Sequence, residues 1–322
     1  MLQTTYDRVS KFILEDHIYV CTRSNYKHWV NDQLPQVNDD NILIEPVNRN
    51  TAPSVAWAGR RIHRQSDNAR IIVVPSDQLI IGEEAFCENV ITGLDFVAQN
   101  DIMLTMGVMP TRPEPGYGYI QMGEATITKG ISKVQSFTEK PEREFATLFM
   151  ESREFLWNTG IFMTNVRHMR QFFLKIFTEL PVRLADLRVD YTPEEEYQCV
   201  QQSVPLYPNV SMDKAALEMF DNVYVAQCDF GWADIGTWHA CYEYMQKGDD
   251  DNVVIDSEVM MEECHGNIVK LPKGHIGVIN GLDGYIIAEE GDVLLICKKY
   301  DSSALIRKYV NEVGIKYGDL YV

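Results

Sequence analysis

Several short stretches set chemically able side chains where strands should end. Pro75-Ser76-Asp77-Gln78 directly follows the apolar run Arg70-Ile71-Ile72-Val73-Val74. Open α/β sheets bind ligands at the carboxyl ends of their strands. A carboxylate at Asp77 could there hold Mg²⁺, which takes one or two carboxylates together with substrate phosphates. The competing reading is that Asp77 only caps the next turn. Asp234 lies in Phe230-Gly231-Trp232-Ala233-Asp234-Ile235-Gly236-Thr237-Trp238. Its apolar flanks predict partial burial and hence a partner. That partner is either a metal shared with Asp77 or the N-terminus of a helix that Asp234 would cap.

Glu45 ends a strand-like run in Ile44-Glu45-Pro46-Val47-Asn48-Arg49-Asn50-Thr51-Ala52. A carboxylate accepts two hydrogen bonds in a fork, which matches the N1–H and N2 amino edge of guanine; the alternative, which the residues alone favour, is an exposed strand-end Glu. Glu139-Lys140-Pro141 places an acid that could bind sugar hydroxyls beside a cation that could bind a sugar phosphate; the alternative, and the commoner case, is a solvated charge pair. Asn158, in Trp157-Asn158-Thr159-Gly160, carries a donor and acceptors that suit a sugar hydroxyl; otherwise it makes an Asx-turn before the strand. Gly118, in Pro115-Gly116-Tyr117-Gly118-Tyr119-Ile120, sits inside a strand pattern, a position that marks close approach of a ligand or backbone. Ser211-Met212-Asp213-Lys214 reads as a helix start, with Ser211 or Asp213 near the N-cap.

These residues need a frame. Residues 2–14 are periodic as a helix, with Leu2, Tyr6, Val9, Ile13 and Leu14 on one face and no strand leading in. Strands follow at 18–22, 42–44, 70–75 and 102–105, with helices at 51–64 and 83–98. The first of these helices is opened by Thr51, with Pro53 in its first turn. This alternation predicts an α/β fold with a mostly parallel sheet. Residues 117–120 and 133–137 read as antiparallel strands, 166–178 as an amphipathic helix, 212–220 as a helix, and 223–226 as a strand. A further helix starts near Thr237. Beyond Gly248 the texture becomes short β runs between Gly, Asp and Pro, which predicts a small β domain over 249–322 after a first domain over 1–248.

Composition removes several functions. Asp and Glu total 47 against 29 Lys and Arg, a net charge of -18, which repels nucleic acid. No apolar run reaches the ~18 residues that span a bilayer. Seven scattered cysteines form no C-x-x-C pair, which fits a reducing, cytoplasmic setting. No H-E-x-x-H or G-x-S-x-G motif is present, so zinc and serine hydrolase chemistry are disfavoured.

Each motif alone is ambiguous; their order is not. Glu45-Pro46 with Arg49-Asn50-Thr51-Ala52, then Pro75-Ser76-Asp77, Gly116 to Ile120, Glu139-Lys140-Pro141, Trp157 to Gly160 and Gly231 to Trp238 follow one another along the whole chain. In this the chain resembles the mannose-1-phosphate guanylyltransferase (GDP-mannose pyrophosphorylase) family. The resemblance implies a Rossmann-like nucleotidyltransferase domain followed by a left-handed β-helix. It implies transfer of GMP from GTP to mannose 1-phosphate with Mg²⁺, giving GDP-mannose and pyrophosphate, and pairing into a homodimer. By the same carry-over Asp77 and Asp234 would hold the metal and Lys140 the phosphate. Glu45, Arg49 and Asn50 would form the guanosine site; Gly118, Glu139 and Asn158 would form the sugar site. The family pattern opens with a strand and a G-G-x-G-T-R loop that cradles the triphosphate. The present sequence opens at the helix that follows that loop. Gln78 stands where the family often has His. Two alternatives remain at this stage: a non-catalytic GDP-mannose-binding relative, and an enzyme for another sugar 1-phosphate.

Overall fold

The computed structural model describes residues 1–180, 184, 187, 188, 190–248, 250–300 and 302–318. The chain divides into two compact units. The first holds Met1–Pro113, Tyr117–Glu139 and Glu144–Trp232; the second holds Glu114–Gly116, Lys140–Arg143 and the chain from Ala233 on.

The chain enters through α1 (Leu2–Val9), shorter than its periodicity suggests, and continues into β1 (Val20–Arg23), α2 (Lys27–Gln33) and β2 (Ile42–Glu45). β1 and β2 form a parallel pair of their own, Val20 opposite Ile42 and Arg23 opposite Glu45. Then come α3 (Thr51–Gln65), β3 (Arg70–Val73), β4 (Gln78–Ile80), α4 (Glu83–Gln99), β5 (Met103–Val108), β6 (Gly118–Ala125) and β7 (Ile131–Glu139). α5 (Arg143–Ser152), β8 (Phe155–Asn165), α6 (Val166–Ile176), α7 (Pro193–Ser203), β9 (Val223–Cys228) and β10 (Trp232–Asp234) follow.

The main sheet has the order β3-β8-β5-β9-β7-β6 and is mixed, as the antiparallel strands expected at 117–120 and 133–137 imply, but it is not mostly parallel as the alternation suggested. Only β5 and β9 are parallel neighbours. β8 enters antiparallel between β3 and β5. The β6–β7 hairpin is gripped at its two ends, β6 by β8 and β7 by β9. Strand direction is a long-range property that local periodicity does not carry.

All six residues of β5 are buried, as expected for a strand covered on both faces. Its alternation feeds two cores. Met103, with Phe162 of β8, packs against Trp57 of α3 and Met169, Phe172 and Phe173 of α6. Leu104 and Met106, with Met163 of β8, pack against Phe86, Val90, Leu94 and Val97 of α4. The unit is thus a helix–sheet–helix sandwich, the arrangement that hides both faces of such a sheet. Glu196 of α7 ties that helix to α3. Its buried carboxylate accepts from Arg61 Nε at 2.7 Å, Arg64 Nη1 at 2.6 Å and Trp57 Nε1 at 2.5 Å.

The second unit carries α8 (Trp238–Tyr244), β11 (Val253–Ile255), β12 (Glu258–Glu262), β13 (Ile268–Lys270), β14 (Ile276–Asn280), β15 (Tyr285–Glu290), β16 (Val293–Lys298) and α9 (Ser302–Tyr317). The parallel partners are Val253 with Ile268, Ile268 with Ile286, and Glu258 with Ile276, offsets of 15, 18 and 18 residues. The chain therefore coils, stacking Val253, Ile268 and Ile286 as fully buried aliphatics. A buried Asn267 holds successive coils together. Its Nδ2 donates to Asn252 Oδ1 and Leu282 O, and its Oδ1 accepts from Tyr285 N–H.

Candidate active site

The site assembles in the first unit around a defect in β8. Gly107 of β5 faces Asn158, and Thr105 faces Phe162, so β8 carries extra residues between the two pairs. Gly160 lies in this bulge at φ 69°, a left-handed conformation that a side chain at this position would strain. Bulges re-aim side chains beside functional sites. Asn158 thus lies within the strand, not before it. Its Asx-type bond is nevertheless present, with Oδ1 accepting Gly160 N–H at 3.2 Å.

Neighbouring groups fix the bulge. Gln78 is buried at the start of β4, and its Nε2 donates to Thr159 O. Thr159 Oγ1 donates to Met106 O at 2.8 Å. The Thr105 hydroxyl lies 3.1 Å from Ile161 O and 3.3 Å from Asn158 Oδ1. Asn158 Nδ2 donates to Asp213 Oδ1. Asp77, exposed at the turn between β3 and β4, is therefore one residue from a side chain anchored on this bulge.

The three sugar-site candidates meet on adjacent strands. Gly118 pairs with Glu139 across the hairpin, and the register of Tyr119 with Trp157 brings Gly118 level with Asn158. Gly118 was expected to mark close approach of a ligand or backbone; the groups that approach it in the structure are side chains. A Cβ at Gly118 would stand 2.7 Å from the Phe137 ring and 2.9 Å from Glu139 Oε2. Beside this row, Arg112 lies over the rings of Trp157 and Tyr117, at 5.2 and 5.9 Å, and the two rings meet edge to face at 5.1 Å.

The Glu45 loop reaches the same row through one segment. Asn50, at φ 64°, caps α3 by accepting Thr51 N–H, so the cap is Asn50 rather than Thr51. Thr51 Oγ1 instead accepts Met212 N–H at 2.8 Å, and Ala52 N–H donates to Val210 O. Arg49 Nη2 donates to Pro205 O. Residues 205–213 thus run from the Arg49–Thr51 turn to Asn158. Ser211 has the helix-start role expected of it, accepting Lys214 N–H at 3.1 Å, and leads into a single π-helical turn, Lys214–Glu218. Glu45 is half-buried, and Ser54 Oγ donates to its Oε1. Burial holds its carboxyl above the ordinary range, against the smaller opposing pull of Ser54 and Arg23.

Two expected participants fall in the second unit. Lys140 takes φ 46° directly after β7. Asp234 Oδ1 accepts Gly236 N–H at 2.9 Å, while Thr237 caps α8, so Asp234 is not the N-cap. Among the described residues no three His, Cys, Asp or Glu side chains gather as a metal cluster. Sequence reasoning missed Asp213, Thr105 and Ser54, whose side chains bond the candidate residues Asn158 and Glu45. Asp213 alone had a signal, a carboxylate two residues beyond the Ser that caps the turn.

The nucleotidyl transferase family model matches residues 1–250. The chain belongs to that family. The relatives are consistent with it. A mannose-1-phosphate guanylyltransferase of Escherichia coli is 27% identical over 323 residues, covering 98% of this chain and 68% of its own length. One from Klebsiella pneumoniae is 30% identical over 314 residues, covering 93% and 64%. The chain thus spans about two thirds of the length of these curated relatives. A solved structure described as mannose-1-phosphate geranyltransferase from Thermus thermophilus superposes with a TM-score of 0.76 at 23% identity, covering 97% of this chain and 88% of that one. At that identity the likeness establishes the fold. Among the described residues no helix is long and apolar enough to cross a membrane.

Proposed function

We propose that this nucleotidyltransferase transfers GMP from GTP to mannose 1-phosphate. One observation supports this reading most: Glu139, Gly118 and Asn158 share one level of adjacent strands, tied through 205–213 to the Glu45 loop. Relatives bearing the guanylyltransferase name align along nearly the whole chain. A phosphate oxygen of mannose 1-phosphate forms a bond to the α-phosphorus of GTP. The bond from that phosphorus to the bridging oxygen breaks opposite it, and pyrophosphate leaves with the electron pair. The protein's share is positioning and charge neutralisation.

In this reading Glu45 accepts guanine N1–H and N2–H, with Arg49 and Asn50 shaping the turn beside it. Glu139 and Asn158 hold the sugar over Gly118, and Lys140 binds its phosphate. Asp77 and Asp234 are the metal carboxylates; hard oxygen donors suit Mg²⁺, which would offset phosphate charge when bound. The seven free thiols are compatible with a cytoplasmic setting. The parallel coil of the second unit is read as a left-handed β-helix that mediates pairing into a homodimer.

The test is formation of GDP-mannose from GTP, mannose 1-phosphate and Mg²⁺, by the chain as it stands and by one carrying any in-frame sequence upstream of Met1. GTP should be preferred over ATP, UTP and CTP, and mannose 1-phosphate over glucose 1-phosphate. A higher kcat/KM for another pair, or no GDP-mannose from either version, overturns the reading.

A further inference from the structure

Asn158 makes bonds of a polarity that can be assigned from chemistry alone. A backbone N–H only donates, so the atom facing Gly160 N at 3.2 Å must be the amide oxygen. A carboxylate only accepts, so the atom facing Asp213 Oδ1 must be the amide nitrogen. The oxygen accepts Gly160 N–H, and the Thr105 hydroxyl crowds its other side at 3.3 Å, with one proton to divide between it and Ile161 O at 3.1 Å. The nitrogen has two hydrogens, and Asp213 takes one. As a donor, Asn158 has one N–H left to offer.

We propose that Asp213 is a positioning residue that makes Asn158 a dedicated hydrogen-bond donor to an acceptor oxygen of the sugar phosphate. This deepens the proposed function and rests on it. Without the carboxylate, the amide could rotate about its last torsion and present oxygen or nitrogen in turn. With it, a ligand oxygen that offers a lone pair is favoured and one that offers only its proton is not. Asp213 is well placed for this because its segment is anchored independently. Met212 N–H bonds Thr51 Oγ1, and Ser211 Oγ accepts Lys214 N–H. The same segment therefore couples the orientation of Asn158 to the turn at Arg49–Thr51.

The test compares Asp213→Ala, Asp213→Asn and the exchange Asn158→Asp with Asp213→Asn. The alanine variant should raise KM for mannose 1-phosphate about tenfold, the effect of one hydrogen bond, with KM for GTP unchanged. Asp213→Asn, whose amide oxygen can still accept, should stay within about threefold of wild type. The exchange keeps a paired couple but offers the ligand an acceptor, so thermal stability should recover while KM for the sugar phosphate does not. Equal loss for both substrates in the alanine variant, or an Asp213→Asn variant as impaired as Asp213→Ala, refutes the positioning role. The orientation itself is read without turnover, from the Asn158 side-chain NH₂ resonances. The proton that bonds Asp213 should resonate downfield of its free-amide position in wild type and return towards that position in Asp213→Ala. Unchanged resonances in that variant overturn the lock. A displaced resonance that no added mannose 1-phosphate perturbs leaves the lock standing and counts against the functional reading instead.

Discussion

At the scale of single residues, the base-reading role proposed for Glu45 would come with a stability cost. Its carboxyl is held above the ordinary range because burial disfavours the charged form. The sign follows from linkage. An acid whose folded pKa exceeds its unfolded value binds the proton more tightly when folded. Stability therefore falls as pH rises from the unfolded value, about 4.3, through the folded one. Glu45→Gln removes that cost. Its melting temperature should exceed wild type at pH 7, and the gap should close below pH 4. The same change should reduce the preference for GTP over ATP at least about tenfold, since Gln puts an N–H donor against the guanine donors once Ser54 holds its oxygen. A retained preference removes Glu45 from the base site. Glu45 was visible in the sequence as a candidate because a strand end followed by Pro46 advertises itself locally. Asp213 was not, since its partner Asn158 is 55 residues away, brought near only by the folded sheet.

At the scale of elements, what could be read depended on range. Helices α3, α4 and α6 and strands β2, β3 and β9 announced themselves locally, the helices by pattern and the strands as short apolar runs, because each signal lies within one stretch of sequence. β8 reads as an apolar strand, but its antiparallel insertion between β3 and β5 was invisible, as was the bulge that re-aims Asn158. α7 escaped notice despite a local signature. Thr192-Pro193-Glu194-Glu195 is a capping box with Pro at the first turn, and both reciprocal bonds form. The helix matters through Glu196, whose buried carboxylate gathers Arg61, Arg64 and the Trp57 indole. Removing one partner of a buried ionic cluster leaves the others uncompensated and costs about 3–5 kcal/mol. Glu196→Ala should lose about that much in denaturant unfolding. Glu196→Gln, which keeps an acceptor, should lose distinctly less. A loss below about 1 kcal/mol for the alanine variant would mean that the arginines find water instead, and that apolar packing such as that of Val200 holds α7.

At the scale of the whole molecule, the excess of 47 acidic over 29 basic side chains decides behaviour that no single site explains. Some acids are paired, as in Lys27 with Asp39 at 3.2 Å and Arg70 with Asp95 at 2.8 Å. Pairing cannot cancel a net charge of -18, so the compact state carries self-repulsion that the expanded chain relieves. Screening lowers that repulsion. The Debye length falls from ~30 Å at 0.01 M to ~8 Å at 0.15 M and ~3 Å at 1 M. Melting temperature at pH 7 should thus rise with NaCl, and most of the rise should come below 0.15 M, where the screening length drops past the spacing between surface charges. Exposed pairs act in the opposite sense, since salt weakens them, but each contributes at most about 1 kcal/mol. The two effects are separable by acidification. Near pH 5 carboxylates begin to take up protons, the net charge shrinks, and the salt dependence should flatten. A melting temperature that falls with NaCl at pH 7 would show that paired charges, not the net excess, set the electrostatic stability of this fold.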